Sequence, residues 1–349
     1  MYPLLIKNML ERATRLFPQK EIYSRDFSGP FKYTYKDMYE RVCRLANALE
    51  GLGVGRGDRI ATLAWNNHRH LELYFAVPSM GAALHTLNIR LFADQLAYII
   101  NHAGDKAIFI DEDVMPVIES IKDKVKTLKQ FIIMTDKDRI PETTLSPVFS
   151  YEDLLRKASV EYSFPDSLDE NSPANICYTT GTTGLPKGCV FSHRNIYLHS
   201  LVVSLPDVFD ISEEDTVMHV PPMFHVMAWG FPYPATWFGT KQVLPGSRPD
   251  ARTLCELIQS EKVTFMAAVP TVLEGILDLA RKEKFDISSL KRVDSGGVPP
   301  PRSVLKGLVE MGILAINGYG MTETCPVISV NILKDRMKNW SSEQKYNHL

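Results

Sequence analysis

The sequence has few cysteines, no long uninterrupted hydrophobic run and no clear excess of charge of either sign. Its 349 residues include five widely spread cysteines without CxxC spacing. This argues against a disulfide framework or a zinc knuckle and indicates a reducing, cytoplasmic compartment. The 39 Lys and Arg residues nearly balance the 41 Asp and Glu residues. The charge therefore gives no reason to expect nucleic acid or an anionic membrane surface as a partner.

The hydrophobic pattern also argues against a membrane span. The most apolar segment, residues 217–244, is interrupted by prolines and carries two histidines, which a membrane-spanning helix would not tolerate. In the first 17 residues, Leu5, Met9, Ala13 and Leu16 stand among charged residues, which predicts an amphipathic helix rather than a signal peptide. This helix could support a homodimer, although packing on its own domain is the simpler expectation.

Strand-like and helix-like runs alternate along most of the chain, which predicts an α/β fold with parallel sheets and helices on both faces. The length suggests about two domains. We expect one lobe over residues 1–165, a second over 166–335 and a polar tail over 336–349, with a polar connection over roughly 137–171. Strands are predicted at 21–23, 31–33, 59–64, 83–87, 107–110, 130–134, 174–178, 188–191, 216–220, 242–244, 264–268, 292–295 and 313–316.

The most informative stretch is YTTGTTGLPKG at residues 178–188. Its threonine hydroxyls and glycine amides supply many hydrogen-bond donors, glycine allows positive φ, and Lys187 adds a positive charge. This composition favours a cradle for a polyphosphate. It is not a Walker A loop, because Pro186 stands five residues after Gly181 and because Gly188, rather than Ser or Thr, follows the lysine.

A second motif, NGYGMTET at residues 317–324, adds complementary chemistry. Glu323 could bind Mg²⁺ together with a threonine hydroxyl, and Tyr319 between two glycines could present a ring face to a base. The loops at 179–188, 296–301 and 317–323 each follow a predicted strand. Open α/β sheets bind ligands at the carboxyl ends of their strands, so we expect these loops to converge on one crevice that binds ATP and Mg²⁺.

These two motifs closely resemble the signature motifs of the adenylate-forming acyl-CoA synthetases and related ligases. The run PMFHVMAWG at residues 222–230 is most similar to the fatty-acyl-CoA ligase branch. The resemblance implies two doubly wound lobes that form the large N-terminal domain of such a ligase. It also implies activation of a fatty acid with ATP to an acyl-adenylate, followed by transfer to coenzyme A.

The resemblance further assigns roles to individual residues. The ATP-binding residues implied are Thr179, Thr180, Gly181, Thr182, Thr183, Gly184 and Lys187 around the phosphates, and Gly296, Gly297, Asn317, Gly318, Tyr319 and Gly320 around the adenine. Thr179 and Glu323 are the implied Mg²⁺ ligands, and Thr322 approaches the α-phosphate. His225 lies near the acyl carboxylate and the entry route of the thiol, so the implied catalytic residues are His225, Thr322 and Glu323.

Trp229, with Val226, is the candidate substrate contact. Because Trp229 follows His225 by four residues, we expect both on one face of a helix. In fatty-acyl relatives a tryptophan at this position gates the acyl tunnel, although a buried tryptophan can equally be a core anchor.

The family pattern continues beyond these motifs with a Thr-Gly-Asp motif, an arginine-containing hinge and a small mobile C-terminal domain that carries an adenylation lysine. None of these occurs here, so we expect this chain to lack the C-terminal domain and to have impaired thioester synthesis. An aryl or short-chain acid ligase, and a non-catalytic nucleotide- or acyl-adenylate-binding protein, remain as alternatives. A phosphotransferase is the weakest reading because no catalytic-base motif is present.

Overall fold

The computed structural model describes residues 2–137, 139–179 and 184–348. Within these residues the strands form two sheets, one of eight strands and one of seven. In spatial order, the eight-stranded sheet contains β15 (Val327–Asn331), β14 (Leu314–Gly320), β13 (Arg292–Ser295), β12 (Phe265–Ala268), β10 (Thr216–Met218), β11 (Lys241–Leu244), β1 (Glu21–Asp26) and β2 (Gly29–Thr34). The seven-stranded sheet contains β7 (Val148–Ser150), β6 (Gln130–Met134), β5 (Ala107–Asp111), β3 (Arg59–Leu63), β4 (Ala83–Thr86), β8 (Pro173–Thr179) and β9 (Lys187–Ser192).

Helical segments connect these strands. They are α1 (Ile6–Leu16), α2 (Tyr35–Gly51), α3 (His68–Ser79), α4 (Ala93–Ala103), α5 (Met115–Glu119), α6 (Tyr151–Lys157), α7 (His193–Val203), the short turn α8 (Val226–Trp229), α9 (Pro232–Trp237), α10 (Ala251–Glu261), α11 (Pro270–Glu283), α12 (Arg302–Glu310) and α13 (Ser342–His348). Short 3₁₀ turns occupy Glu112–Val114, Thr322–Thr324 and Asp335–Met337. In the part of the chain that the structure describes, no helix has both the length and the hydropathy needed to cross a bilayer.

The predicted α/β architecture is confirmed: strands in the middle of each sheet are parallel, and the edges carry antiparallel pairs except at β7, which pairs in parallel with β6. The antiparallel pairs are β1 with β2, β14 with β15, and β8 with β9. Successive side chains of a strand point to opposite faces, and both faces of the seven-stranded sheet are buried. Phe109 on β5 packs in the cluster that includes α2 and α3, whereas Ile108 and Ile110 pack in the cluster that includes α4.

The division into sheets does not follow the expected lobes at residues 1–165 and 166–335. Strands β1 and β2, early in the chain, join the eight-stranded sheet through parallel pairing of β1 with β11. Strand β8 joins the seven-stranded sheet beside β4. Each sheet therefore takes strands from both expected lobes. Strand pairing between distant parts of the chain leaves no local pattern from which this exchange could be predicted.

Two polar segments have more structure than their composition indicates. The expected connection over residues 137–171 contains β7 and α6, and Tyr151 at the start of α6 is fully buried. Its hydroxyl donates to the buried Glu72 of α3 at 2.6 Å, and Arg41 of α2 donates to the same carboxylate at 2.7 Å. In the expected tail, α13 contacts α12 through Arg302 and Glu343 at 3.1 Å.

The ends of the first two helices match their sequence signals. Thr34 caps α2: its hydroxyl accepts from the backbone N–H of Asp37, whose carboxylate accepts from the backbone N–H of Thr34, which is a capping box. Helix α1 buries Met9 and Ala13 against its own chain, while Leu16 is half exposed. The expected packing of this helix on its own domain is thus observed, and a homodimer stays a prediction.

Candidate functional site

The carboxyl ends of β13 and β14 lie side by side in the eight-stranded sheet. The two strands are parallel, with Asp294 opposite Ile316 and Ser295 opposite Asn317. The residues that follow or end them, Gly296–Gly297 and Gly318–Thr322, therefore meet at one edge, as expected for ligand-binding loops of an α/β sheet. They line a cavity of about 240 Å³, which we call the smaller cavity.

His225 and Trp229 also line the smaller cavity, but not from a helix. Val226, Met227, Ala228 and Trp229 all have positive φ, between 37° and 59°. The expectation that His225 and Trp229 share a face of a right-handed helix is therefore wrong. A left-handed turn of this kind is costly for residues with a Cβ atom, so it persists only where tertiary packing imposes it.

The indole of Trp229 packs directly against the glycine pair after β13. A Cβ atom on Gly296 would lie 3.0 Å from indole Cζ3, and one on Gly297 would lie 3.7 Å from Cζ2. A side chain at position 296 would therefore crowd the ring, whereas at position 297 the distance is an ordinary contact and the φ of 83° is what favours glycine. Trp229, His225 and Gly297 also line a second cavity, so the indole stands at the boundary between the two.

This second, larger cavity has a volume of about 710 Å³. Apolar side chains form much of its wall, including Val220, Phe224, Leu254, Val269 and Val272. The volume lies within the range of pockets that hold small molecules, and such pockets are mainly apolar with a few polar groups. The cavity can therefore enclose an apolar ligand.

The polar groups of the larger cavity include His225 and Arg90. The His225 side chain is exposed to the cavity, yet enough protein surrounds it that desolvation, together with the nearby positive charge of Arg90, lowers the pKa of the imidazole. The ring is consequently neutral at physiological pH and can donate one hydrogen bond while accepting another.

The predicted phosphate cradle lies at the tip of the β8–β9 hairpin, where Thr179 pairs with Lys187. Thr180, Gly181, Thr182 and Thr183 fall outside the described residues. Gly184 and Lys187 are exposed and Thr179 is half-buried.

Glu323 lies close to this hairpin. Desolvation and, next, the negative charge of Glu323 raise the pKa of Cys189 on β9. The carboxylate itself is exposed. Among the described residues, no group of three or more His, Cys, Asp and Glu side chains could hold a metal by itself. A Mg²⁺ site at Thr179 and Glu323 would thus need further oxygens from bound phosphates or water, which is the usual arrangement for this ion.

The remaining predicted residues lie in or beside the same region. Thr322 is buried in its 3₁₀ turn and lines the smaller cavity, as do Gly320 and Val226. Tyr319 also lines this cavity and is 59% exposed, which leaves its ring available for stacking. Asn317 is half-buried within β14, where it pairs with residues on β13 and β15.

Asp294 is a cavity residue that sequence reasoning missed. It is 2% exposed, and its pKa is raised to about 7 by burial, although a hydrogen bond from the backbone N–H of Gly318 opposes the shift. Its Oδ1 atom has no hydrogen-bond partner in the part of the chain that the structure describes. An acidic residue in a buried strand directly before the glycine pair was the available signal.

A second missed contact supports the hairpin. The ring of Tyr178, the residue before Thr179, packs over Gly188 on the neighbouring strand, where a Cβ atom would lie 3.1 Å from the ring. The Tyr178 hydroxyl is hydrogen-bonded to Nδ1 of His102 at 2.6 Å. These contacts connect α4 to the base of the predicted phosphate cradle.

A family model described as AMP-binding enzyme matches residues 10–346. The chain belongs to this family. Over 339 residues it is 46% identical to a long-chain-fatty-acid–CoA ligase of Thermus thermophilus, a match that covers 97% of this chain and 61% of the relative. It is 39% identical over 330 residues to a medium-chain-fatty-acid–CoA ligase of Ectopseudomonas oleovorans, covering 94% of this chain and 60% of the relative. The chain thus spans about three fifths of the length of these relatives.

A solved structure agrees with this placement. The inhibitor-bound N-terminal domain of FACL13 from Mycobacterium tuberculosis superposes with a TM-score of 0.80 at 26% identity, covering 96% of this chain and 80% of that one. The fold of this chain is therefore that of the N-terminal domain of an adenylate-forming ligase.

Proposed function

We propose that this chain is the nucleotide- and acyl-binding part of an ATP-dependent fatty-acid–CoA ligase. One observation carries the proposal: the smaller, glycine-lined cavity and the larger apolar cavity meet at Trp229, His225 and Gly297. A fatty acyl-adenylate has the same division, with a polar nucleotide joined to an apolar chain. The two relatives described above, named as long-chain and medium-chain fatty-acid–CoA ligases, support the same substrate class.

The smaller cavity suits the adenine and ribose of ATP. Gly296, Gly297 and Gly318 leave open backbone edges, and Tyr319 offers an exposed ring face beside them. The hairpin that carries Lys187 would bind the β- and γ-phosphates, and Thr179 with Glu323 would hold Mg²⁺, which neutralises phosphate charge.

The larger cavity suits the alkyl chain of the acid. Its apolar wall removes methylene groups from water, which stabilises the bound ligand by about 0.8 kcal/mol per methylene. At the junction, neutral His225 can hydrogen-bond the acyl carboxylate or carbonyl without adding charge. Trp229 closes one side of the junction, so the length and position of the alkyl chain should depend on this ring.

The reaction needs no protein nucleophile. An oxygen of the fatty-acid carboxylate attacks the α-phosphorus of ATP, the bond to the bridging oxygen breaks and pyrophosphate leaves with that oxygen. The sulfur of coenzyme A then attacks the acyl carbonyl carbon, the thiol loses its proton and AMP leaves. The described residues contribute by positioning the reactants and by stabilising phosphate charge, which are the main sources of catalysis in such transfers.

The test is a calorimetric titration of the chain with non-hydrolysable acyl-adenylate mimics of increasing alkyl length. We expect the Kd to fall about fourfold with each added methylene that the larger cavity accepts. Trp229→Ala should weaken binding of the longer mimics by roughly tenfold, as for a central aromatic contact. Trp340→Ala, at a tryptophan that packs against His348 outside both cavities, is the matched control.

The outcomes separate the competing functions. Affinity that does not change with alkyl length would refute the fatty-acyl assignment. Tighter binding of a benzoyl-adenylate mimic than of any alkyl mimic would favour an aryl-acid ligase. Failure of every adenylate mimic to bind a folded chain would refute the nucleotide site itself. Exchange of labelled pyrophosphate into ATP by the chain itself would support an enzyme over a non-catalytic binding protein.

A further inference from the structure

The stretch that leads to His225 has no regular structure of its own. Strand β10 ends at Met218, and residues 219–225, which we call the His225 segment, form neither a strand nor a helix. Pro221 and Pro222 lack a backbone N–H, so the segment cannot continue the ladder of the sheet. Much of it is nevertheless buried. Buried backbone groups need hydrogen-bond partners, and part of this segment's partners must therefore come from elsewhere in the chain.

Asn66 supplies three of these hydrogen bonds from the other sheet. It follows strand β3 of the seven-stranded sheet, and its side chain is buried. Its amide nitrogen donates to the carbonyl oxygen of His219 at 2.6 Å and to that of Pro221 at 2.9 Å. Its amide oxygen accepts from the backbone N–H of Met223 at 2.8 Å. The two N–H groups of the amide are thus both used, and the partners lie 153 to 157 residues further along the chain.

Two further hydrogen bonds reach the His225 segment from the same side. The hydroxyl of Tyr74 on α3 donates to the carbonyl oxygen of Met223, and the hydroxyl of Thr86 on β4 donates to that of Phe224 at 3.4 Å. Each of these side chains binds one backbone group of the segment, whereas Asn66 binds three. Among the described residues, Asn66 is therefore the main polar connection between the segment and the seven-stranded sheet.

The same connection forms part of the larger cavity. Asn66 lines this cavity together with Pro221, Phe224 and His225 of the segment. The backbone oxygen of Asn66 also accepts from the N–H of Gly246 at 3.0 Å, and Gly246 lines the cavity as well. Walls that come from the two sheets therefore meet at Asn66, and the spacing between them depends on its hydrogen bonds.

We propose that Asn66 is a positioning residue: it fixes the His225 segment against the seven-stranded sheet, so that the imidazole and the adjoining wall of the larger cavity are in place before the acyl group binds. This inference rests on the proposed function, which places the acyl group at His225. Asn66 acts through the segment and not on the reacting atoms, because both N–H groups of its amide are already used. A site that is held in place before the ligand arrives avoids the cost of ordering it on binding.

The test compares two variants with a control at the next position. Asn66→Ala removes all three hydrogen bonds. Asn66→Ser keeps a hydroxyl that can replace at most one of the two donated bonds, and as the milder change it keeps the test open should the alanine variant fail to fold. Asn67→Ala is the matched control, because Asn67 is 5% exposed and Asn66 is 4% exposed. The Asn67 side chain accepts from the His70 N–H and donates to Asp111, both at 3.0 Å, rather than bonding to the His225 segment.

The first measurement is ligand binding by calorimetry. The ligands are ATP with Mg²⁺ and the non-hydrolysable alkyl-adenylate mimic that the wild-type chain binds most tightly. Asn66→Ala should raise the Kd of the mimic about tenfold, and Asn66→Ser should raise it by less, because the ligand then has to reorder a loosened segment. The Kd of ATP should change less than about threefold in either variant, since Asn66 lines the larger cavity and not the smaller one. Asn67→Ala should change neither Kd by more than about threefold.

The second measurement needs no ligand. Desolvation and the nearby charge of Arg90 lower the pKa of His225. NMR of histidine-labelled protein follows this titration, with the signal assigned by its loss in His225→Gln. In Asn66→Ala the pKa of the imidazole should move up toward its ordinary value, because a loosened segment lets water reach the ring. It should stay lowered in Asn67→Ala, since a loss of overall stability that leaves the segment in place does not change the surroundings of the ring.

The outcomes distinguish this inference from the proposed function. If the wild-type chain binds the mimic, but the Asn66 variants bind it equally well or keep the lowered pKa of His225, Asn66 does not position the segment and the proposed function stands. Equal changes in Asn67→Ala would also overturn the inference, because they would point to general destabilisation. If the folded wild-type chain binds no mimic, the proposed function fails, and the His225 titration still decides whether Asn66 holds the segment.

Discussion

The buried carboxyl group of Asp294 should make the stability of the fold depend on pH. Burial raises its pKa from 3.8 to about 7, against the opposing hydrogen bond from the Gly318 N–H. Between these two values the folded chain holds a proton that the unfolded chain has released. The free energy of unfolding therefore falls as pH rises through this window, and it is highest below the unfolded pKa.

The size of the effect follows from the shift. Each unit of pKa difference corresponds to 1.36 kcal/mol, so a shift of about three units amounts to ~4 kcal/mol in total. From pH 5 to pH 8 only the part between pH 5 and the folded pKa is lost, which is about 3 kcal/mol. Asp294→Asn removes the titration and should remove this loss.

The assay is equilibrium unfolding in urea of the wild-type chain and of Asp294→Asn, each at pH 5 and at pH 8. Every other titrating group contributes equally to both proteins, and any pH-independent cost of the amide also cancels. The quantity of interest is the difference between the two pH-dependent changes. We expect the wild-type chain to lose about 2–3 kcal/mol more than the variant between the two pH values.

A difference below about 1 kcal/mol would refute the reasoning, because it would mean that Asp294 is hydrated or paired in the folded chain and titrates near its ordinary pKa. A variant that loses more stability than the wild type on going to pH 8 would contradict even the sign.

Two further substitutions test other parts of the structure. Glu72→Gln removes the buried carboxylate that accepts from Tyr151 and Arg41, while Arg41 keeps its bidentate pair with Glu152. It should lower the free energy of unfolding by about 2 kcal/mol, as for hydrogen bonds to a charged group. Glu343→Gln, at an exposed ion pair, should cost less than about 1 kcal/mol. An equal effect of the two in urea unfolding would contradict the importance of burial. Gly296→Ala places a methyl group 3.0 Å from the indole of Trp229, so it should displace the ring. The displacement should alter tryptophan fluorescence emission and weaken the binding of acyl-adenylate mimics. Unchanged emission and affinity would show that the ring does not pack on this glycine.

Local chemistry in the sequence predicted most of the secondary structure. Thr34 caps α2 because its hydroxyl and the Asp37 carboxylate accept from backbone N–H groups at the start of the helix, and the two residues lie only three positions apart in the chain. Strand β14 was predicted from its apolar residues, and Ala315 packs in one apolar cluster while Ile316, on the opposite face of the strand, packs in another. The residue order alone also placed the glycine-rich loops after strands, and the loops after the parallel strands β13 and β14 consequently meet at one sheet edge, whereas the loop over residues 179–188 follows β8 of the other sheet.

The exchange of strands between the two sheets depended on contacts far apart in sequence. No sequence feature near β1 indicates that it pairs with β11, more than 200 residues later. The hydrogen bonds between two strands join backbone groups, so they leave no pattern in the residues that separate the strands. Likewise, the polar composition of α6 suggests a solvated connection. Its role becomes visible only when Tyr151, Glu72 and Arg41 are brought together in the interior.

The sequence by itself therefore determined the class of fold, the family and the set of loops that form the site, because propensity, capping and motif chemistry act over a few residues. Only the tertiary structure decided the geometry within that site. Packing against Gly296 and Gly297 accompanies the left-handed turn at residues 226–229, a conformation that local preference disfavours. The packing of neighbouring strands also placed Asp294 beneath Gly318 with one carboxyl oxygen unpaired. The pKa of that carboxyl group is raised because the surrounding structure buries it, and no single residue of the sequence specifies that burial.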